Sequence, residues 1–188
     1  MEQYAILVVD MIKDSFNPKQ PEMHKQIMTI IPNINNLLEF AREKKIKVIY
    51  ACDSRYPQDF IFSGNNKPHA LRGTRGIEVI DELRVYPEDT ILEKRCMSSF
   101  FRTDLDITLR SLGVTTLIII GISTPYCVLL SALDAVQNGF KAIICEDCAT
   151  AYKDTFHQNV INTYRKGPIS SLFGISNLKS IINMLSEN

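Results

Sequence analysis

Tyr4-Ala5-Ile6-Leu7-Val8-Val9 is apolar throughout and ends on a carboxylate, Asp10. Alternating polarity would mark a strand with one wet face. Continuous apolarity rich in β-branched residues marks a strand covered on both faces, as in a parallel sheet. Residues 46–52, 114–120 and 140–145 read the same way, and weaker strands are expected at 90–93 and 169–173.

Helical spacing fills the intervals. Ile27, Ile30, Ile31, Ile34, Leu37, Leu38 and Ala41 keep to one face, and Lys44 and Lys45 suit the negative end of that helix's dipole. A second helix is expected to open at Thr103, with Asp106 placed as in a capping box, and to stop at Gly113. Others are expected over about 126–138, about 154–166 and from Asn177 onward. Strand alternating with helix, joined by right-handed crossovers, gives an α/β protein. The expected architecture is a Rossmann-like three-layer α/β/α sandwich around a mainly parallel six-stranded sheet. The polar segment 53–75 breaks the rhythm, and connections of that length are usually functional or disordered; whether it acts as a lid is left open.

The 188 residues fit one domain spanning 1–188, and 45% hydrophobic content suffices for a single sizeable core. Lysine plus arginine equals aspartate plus glutamate at 21 each, so no global field favours nucleic acid or an anionic membrane. The expected partner is a small-molecule substrate chosen by local chemistry. The opening residues lack a basic region and cleavage site of the signal-peptide kind, and no apolar stretch approaches membrane-spanning length. Five cysteines at irregular spacing do not suggest a disulfide framework, so a cytoplasmic location is expected.

In open α/β sheets, ligands collect beyond the carboxyl ends of the strands. Asp10 ends the first strand, Lys94 follows Ile91-Leu92, and Cys127 follows Gly121-Ile122-Ser123-Thr124-Pro125-Tyr126 at the expected opening of a helix. Unpaired amides and the positive dipole end there favour a thiolate, and a nearby lysine strengthens the effect. A carboxylate close to both can accept the thiol proton. Each residue also has a plainer role: Asp10 as a turn residue or cap, Lys94 as solvated surface, Cys127 as core filler. Spacing alone permits a triad without requiring it. Cys145 and Cys148 have redox or half-zinc-site spacing, but no second pair accompanies them, and Cys145 is assigned to the core. His24 and His157 fall in helical, polar surroundings and suggest no role.

These segments resemble the isochorismatase-like cysteine hydrolases, which include nicotinamidases and N-carbamoylsarcosine amidases. Ile6-Leu7-Val8-Val9-Asp10-Met11 with Asp14-Ser15-Phe16 looks like the family's first-strand motif. Leu92-Glu93-Lys94-Arg95 through Ser98-Ser99-Phe100, then Thr103-Asp104-Leu105, is similar to its lysine motif. Gly121 through Val128, continuing to Ala132-Leu133-Asp134-Ala135, resembles the nucleophile segment, and Glu146-Asp147 with Ala149-Thr150-Ala151 the strand end after it. The likeness covers nearly the whole chain. It implies that Asp10, Lys94 and Cys127 form the catalytic triad. It also implies a cis peptide at Ile122-Ser123 and an oxyanion hole made by the backbone N–H groups of Ser123 and Cys127. Phe16, Phe100 and Tyr126 lie near motif positions and are candidates to wall the substrate pocket.

The sequence departs from the family pattern at Pro125, where many relatives carry aspartate, and at Arg55. Nicotinamidases hold a divalent metal through an Asp-x-His pair and a later histidine; Asp53 and His69 match, but the middle position is Arg55. A permanent guanidinium cation cannot ligate a metal and repels one, so no metal or other cofactor is expected. Arg55 is expected to pair with Asp53, with a substrate carboxylate as the other option.

The implied reaction is hydrolysis of a C–N bond in a small amide or ureide through a thioester. N-carbamoylsarcosine amidase is favoured over nicotinamidase as the parallel because the metal ligand is lost. Vinyl ether cleavage of the isochorismatase type and a catalytically inactive binding or scaffold role stay open. The resemblance further implies a homo-oligomer, dimer or tetramer.

Overall fold

The computed structural model describes residues 2–64 and 66–187. In chain order its elements are β1 Tyr4–Val9, α1 Pro21–Glu43, β2 Lys47–Asp53, β3 Thr90–Lys94, α2 Leu105–Ser111, β4 Thr116–Ile122, α3 Leu129–Gln137, β5 Lys141–Thr150, α4 Asp154–Tyr164, β6 Phe173–Ser176 and α5 Leu178–Ser186. The strands form one six-stranded sheet in the order β3-β2-β1-β4-β5-β6, and every adjacent pair is parallel. The chain starts mid-sheet, winds out to β3, then returns beside β1 and winds the other way. The winding reverses between β1 and β4, so the loops leaving those strands splay apart there and open a crevice.

Side-chain alternation along the buried strands feeds two separate cores. Ile6 and Val8 of β1, with Ile118, Ile120 and Ile122 of β4, pack under α1 and α5. Ala5, Leu7 and Val9, with Leu117 and Ile119, pack under α2, α3 and α4. On α1 the buried set is Ile27, Ile30, Ile31, Ile34, Leu37, Leu38 and Ala41, the stripe read from the sequence. The result is the three-layer α/β/α sandwich, with its sheet wholly parallel.

Local details differ from the sequence reading. The last strand lies at Phe173–Ser176 rather than 169–173, because Ile169 and Leu172 stay substantially exposed and the backbone turns there. β5 runs on to Thr150, since after a register irregularity its end pairs again with Gly121 and Ile122 of β4. The capping box at Thr103 does not form: its hydroxyl donates to Ser99 O at 2.6 Å and accepts Leu105 N–H at 3.3 Å, and α2 begins at Leu105 with no cap from the Asp104 side chain. The 53–75 segment folds back on itself, with Arg55 N–H donating to Ala70 O and Arg72 N–H to Arg55 O, each at 2.9 Å. Asp14 clamps it by accepting Ala70 N–H at 2.7 Å. Among the described residues no helix is long and apolar enough to cross a membrane.

Candidate active site

The end of each central strand delivers one polar side chain into the crevice. Asp10, just past β1, has φ 51, in the left-handed region that non-glycine residues seldom adopt. Its N–H donates to Ala51 O at 2.9 Å and its Oδ1 accepts Asp53 N–H at 2.8 Å, so the end of β2 fixes the carboxylate from two sides. On β3, Leu92 and Lys94 are buried while Ile91 and Glu93 are exposed, and this alternation turns the ammonium inward. Lys94 Nζ donates to Asp53 Oδ1 at 2.5 Å, Asp10 Oδ2 at 2.8 Å and the Cys96 carbonyl at 3.3 Å, using all three of its protons.

Cys127 arrives from β4. Gly121 has φ 101, and a Cβ there would stand 2.2 Å from the Val9 carbonyl oxygen, so only glycine lets β4 run this close to β1. The Ile122-Ser123 peptide is cis. A wide π-helical turn, Thr124–Val128, follows and carries Cys127 before α3 begins. Asp10, Asp53 and Cys127 present polar atoms that all lie within 4.8 Å of one another.

Burial governs the charges. It raises the Asp10 carboxyl to about 6, the neighbouring Asp53 charge adds to this, and Lys94 opposes it. Burial would lower Lys94, but the charges of Asp10, Cys127 and Asp53 prevail and hold it above the ordinary lysine range. Burial, then the Asp10 charge, pushes the Cys127 thiol well above its usual value. The sequence reading expected a thiolate favoured by a helix end. Burial works against that expectation, and the sulfur lies within 4.8 Å of an oxygen of Asp10, whose carboxylate Lys94 holds.

Asp53 belongs to this cluster, although the sequence suggested it only as a metal-ligand position or a partner for Arg55. The available signal was register: in parallel β2 and β3, Asp53 faces Lys94. Its other oxygen, Oδ2, pairs with the buried Arg55 guanidinium, as anticipated. Arg55 Nη1 also donates to His69 Nε2 at 2.7 Å, and His69 Nδ1 lies 3.0 Å from the Lys67 carbonyl. The histidine is therefore a neutral Nδ1–H tautomer whose acceptor nitrogen is already taken. These residues do not fit a divalent ion: a guanidinium joins Asp53 to His69, and an ammonium bridges Asp10 and Asp53.

The aromatic candidates separate. Tyr126 is 54% exposed beside the nucleophile, and Phe100 is buried in the same apolar cluster as Cys127, tilted against Phe140. Phe16 stacks on His24 with ring centroids 4.3 Å apart and packs on the other core, so His24 serves as its stacking partner. Cys145 and Cys148 are both buried, as free cysteines. His157 is also buried, not in the polar surroundings expected of it; its Nδ1 lies 2.8 Å from Thr124 Oγ1. Two clefts are lined by chain neighbours and contacts of the cluster, though not by Asp10, Lys94 or Cys127 themselves. One of about 370 Å³ is lined by Asp14, Asn17, Lys67 and His69; a larger one of about 720 Å³ lies among Phe60, Arg72, Arg95, Met97 and Phe101.

The family model for the isochorismatase domain matches residues 4–171. A probable inactive nicotinamidase of Arabidopsis thaliana is 29% identical over 84% of this chain and 86% of its own length. An isochorismatase-like hydrolase from Alkaliphilus metalliredigens superposes with a TM-score of 0.84 at 27% identity, covering 98% of this chain and 97% of that one. The N-carbamoylsarcosine amidase of Thermoplasma acidophilum superposes with a TM-score of 0.76 at 29% identity, covering 94% of this chain and 96% of that one.

Proposed function

Since the chain belongs to the isochorismatase family, we propose that it is a cysteine hydrolase cleaving a C–N bond of a small amide or ureide through a Cys127 thioester. One observation carries the proposal: sulfur, carboxylate and ammonium from three distant segments meet in one buried cluster. The likeness to an N-carbamoylsarcosine amidase supports acyl chemistry over vinyl ether cleavage.

The steps use only what the cluster holds. Asp10 takes the Cys127 proton as sulfur attacks the carbonyl carbon, and the oxyanion is received by the backbone N–H groups of Ser123 and Cys127. Asp10 passes that proton to the leaving nitrogen, the C–N bond breaks, and ammonia or an amine departs. Asp10 then deprotonates a water molecule, which attacks the thioester. The C–S bond breaks, the acid leaves, and the proton returns to sulfur. Lys94 orients Asp10 and favours the ionised form that accepts each proton. The reaction is metal-free, because Arg55 and Lys94 supply the positive charge that an ion would bring. Phe100 and Tyr126 wall the pocket, and copies of the chain associate as a dimer or tetramer.

Ammonia release across a panel of small amides and ureides tests the reaction. At least one compound should be turned over by the wild type and none by Cys127→Ala. The similarity to a protein named as a probable inactive nicotinamidase favours a second reading, a binding role without turnover. No ammonia from any compound, with Cys127 alkylated no faster than Cys52, would support it.

A further inference from the structure

Building on the assignment of Cys127 as nucleophile, we infer that His157 is a positioning residue: through Thr124 it sets the turn that aims Cys127 at Asp10. Thr124 opens that turn and is completely buried. Its hydroxyl carries a single proton, which goes to the Thr150 carbonyl at 2.9 Å, at the end of β5. The contact with His157 Nδ1 at 2.8 Å must then run the other way, with Nδ1–H donating to the Thr124 oxygen. Burial lowers the His157 pKa, consistent with a neutral imidazole in the Nδ1–H form.

The hydroxyl thus ties three elements together: the nucleophile turn, the end of β5, and α4, which packs against the turn. An alkyl side chain at 157 would fill the space without the cost of burying an imidazole, so the ring's use lies in its donor. Within the turn, Ser123 O accepts both Tyr126 N–H at 2.9 Å and Val128 N–H at 3.3 Å, the second a stretched bond. Leu129 N–H also reaches back to Thr124 O and Tyr126 O; these bonds shape the turn, while the Thr124 hydroxyl is the side-chain tie that fixes it against β5 and α4. If Thr124 comes free, the turn can rotate, and Cys127 Sγ leaves the carboxylate that removes its proton.

The test measures alkylation of Cys127 by iodoacetamide, read peptide by peptide, with Cys52 as an internal gauge of general opening. His157→Leu and Thr124→Val should slow Cys127 about tenfold while Cys52 is unchanged. His157→Asn, which keeps a donor near the Nδ1 position, and Thr124→Ser should stay within about twofold of wild type. Unchanged or faster labelling in His157→Leu, or equal impairment in His157→Asn, would overturn the inference. Should His157→Leu fail to fold, the Thr124 pair decides by the same criteria. Wild-type Cys127 reacting no faster than Cys52 would remove the nucleophile assignment itself, an outcome separate from failure of the variants.

Discussion

Lys94 Nζ lies 2.5 Å from Asp53 Oδ1, closer than its 2.8 Å to Asp10 Oδ2, so the lysine proposed to serve catalysis is held between two buried carboxylates. Removing the ammonium leaves the buried Asp10 carboxylate without a cationic partner and Asp53 with Arg55 alone. Breaking a buried ion pair from one side costs about 3–5 kcal/mol. Lys94→Met should therefore lower the urea midpoint markedly and reduce turnover by on the order of 10²-fold or more, since the charged pair it stabilises is used in every step.

Activity should fall as pH drops through about 6, because Asp10 must be ionised to accept the thiol proton and its carboxyl is raised to that value by burial, then by Asp53. Asp53 raises it because a second negative charge disfavours ionisation. Asp53→Asn should accordingly move the acid limb of kcat/KM to lower pH. A limb that stays in place or moves upward would show that Asp53 does not act on Asp10 electrostatically.

Much of this was legible in the sequence where the cause is local. Apolar runs such as Ala5 to Val9 and the one-face stripe on α1 record burial directly, so β1 to β4 and the buried face of α1 were placed closely, while the extension of β5 to Thr150 was missed. β6 was misplaced, because an edge strand containing Gly174 and Ser176 has little apolar signal and is fixed by pairing with β5. The triad was suggested by strand-end position and family likeness, whereas Asp53 needed the β2–β3 register. His157 lay beyond reach altogether: nothing near it in the chain announces that α4 returns against residue 124, and only the closed fold creates that contact.

Gly121→Ala should be among the most damaging single-atom additions. The new methyl would meet the Val9 carbonyl oxygen at 2.2 Å in the centre of the sheet, and φ 101 is unfavourable for any side chain. Backbone strain and overpacking together should cost about 3 kcal/mol or more, read as a lowered urea midpoint. Gly139→Ala provides the comparison: it shares a positive φ of 84 but has nothing within 4 Å of the added carbon, so only the conformational cost remains and the loss should be distinctly smaller.

Arg55→His should create a metal site by removing the guanidinium that occupies Asp53 and His69. In the wild type, both non-hydrogen acceptors a metal would need are occupied: Asp53 Oδ2 by the guanidinium and His69 Nε2 by Arg55 Nη1 at 2.7 Å. Dialysis against a chelator should leave wild-type turnover and melting temperature unchanged, and elemental analysis should find no stoichiometric divalent metal. The substitution removes a fixed cation, frees Asp53 and His69, and adds a third donor, a set that suits zinc with water in the fourth position. Zinc should then raise the variant's melting temperature in a concentration-dependent way, as ligand binding to the native state requires, with no such effect on the wild type. Tight divalent metal in the wild type would contradict the internal-cation account, because the guanidinium would have to leave Asp53 and His69 to admit it.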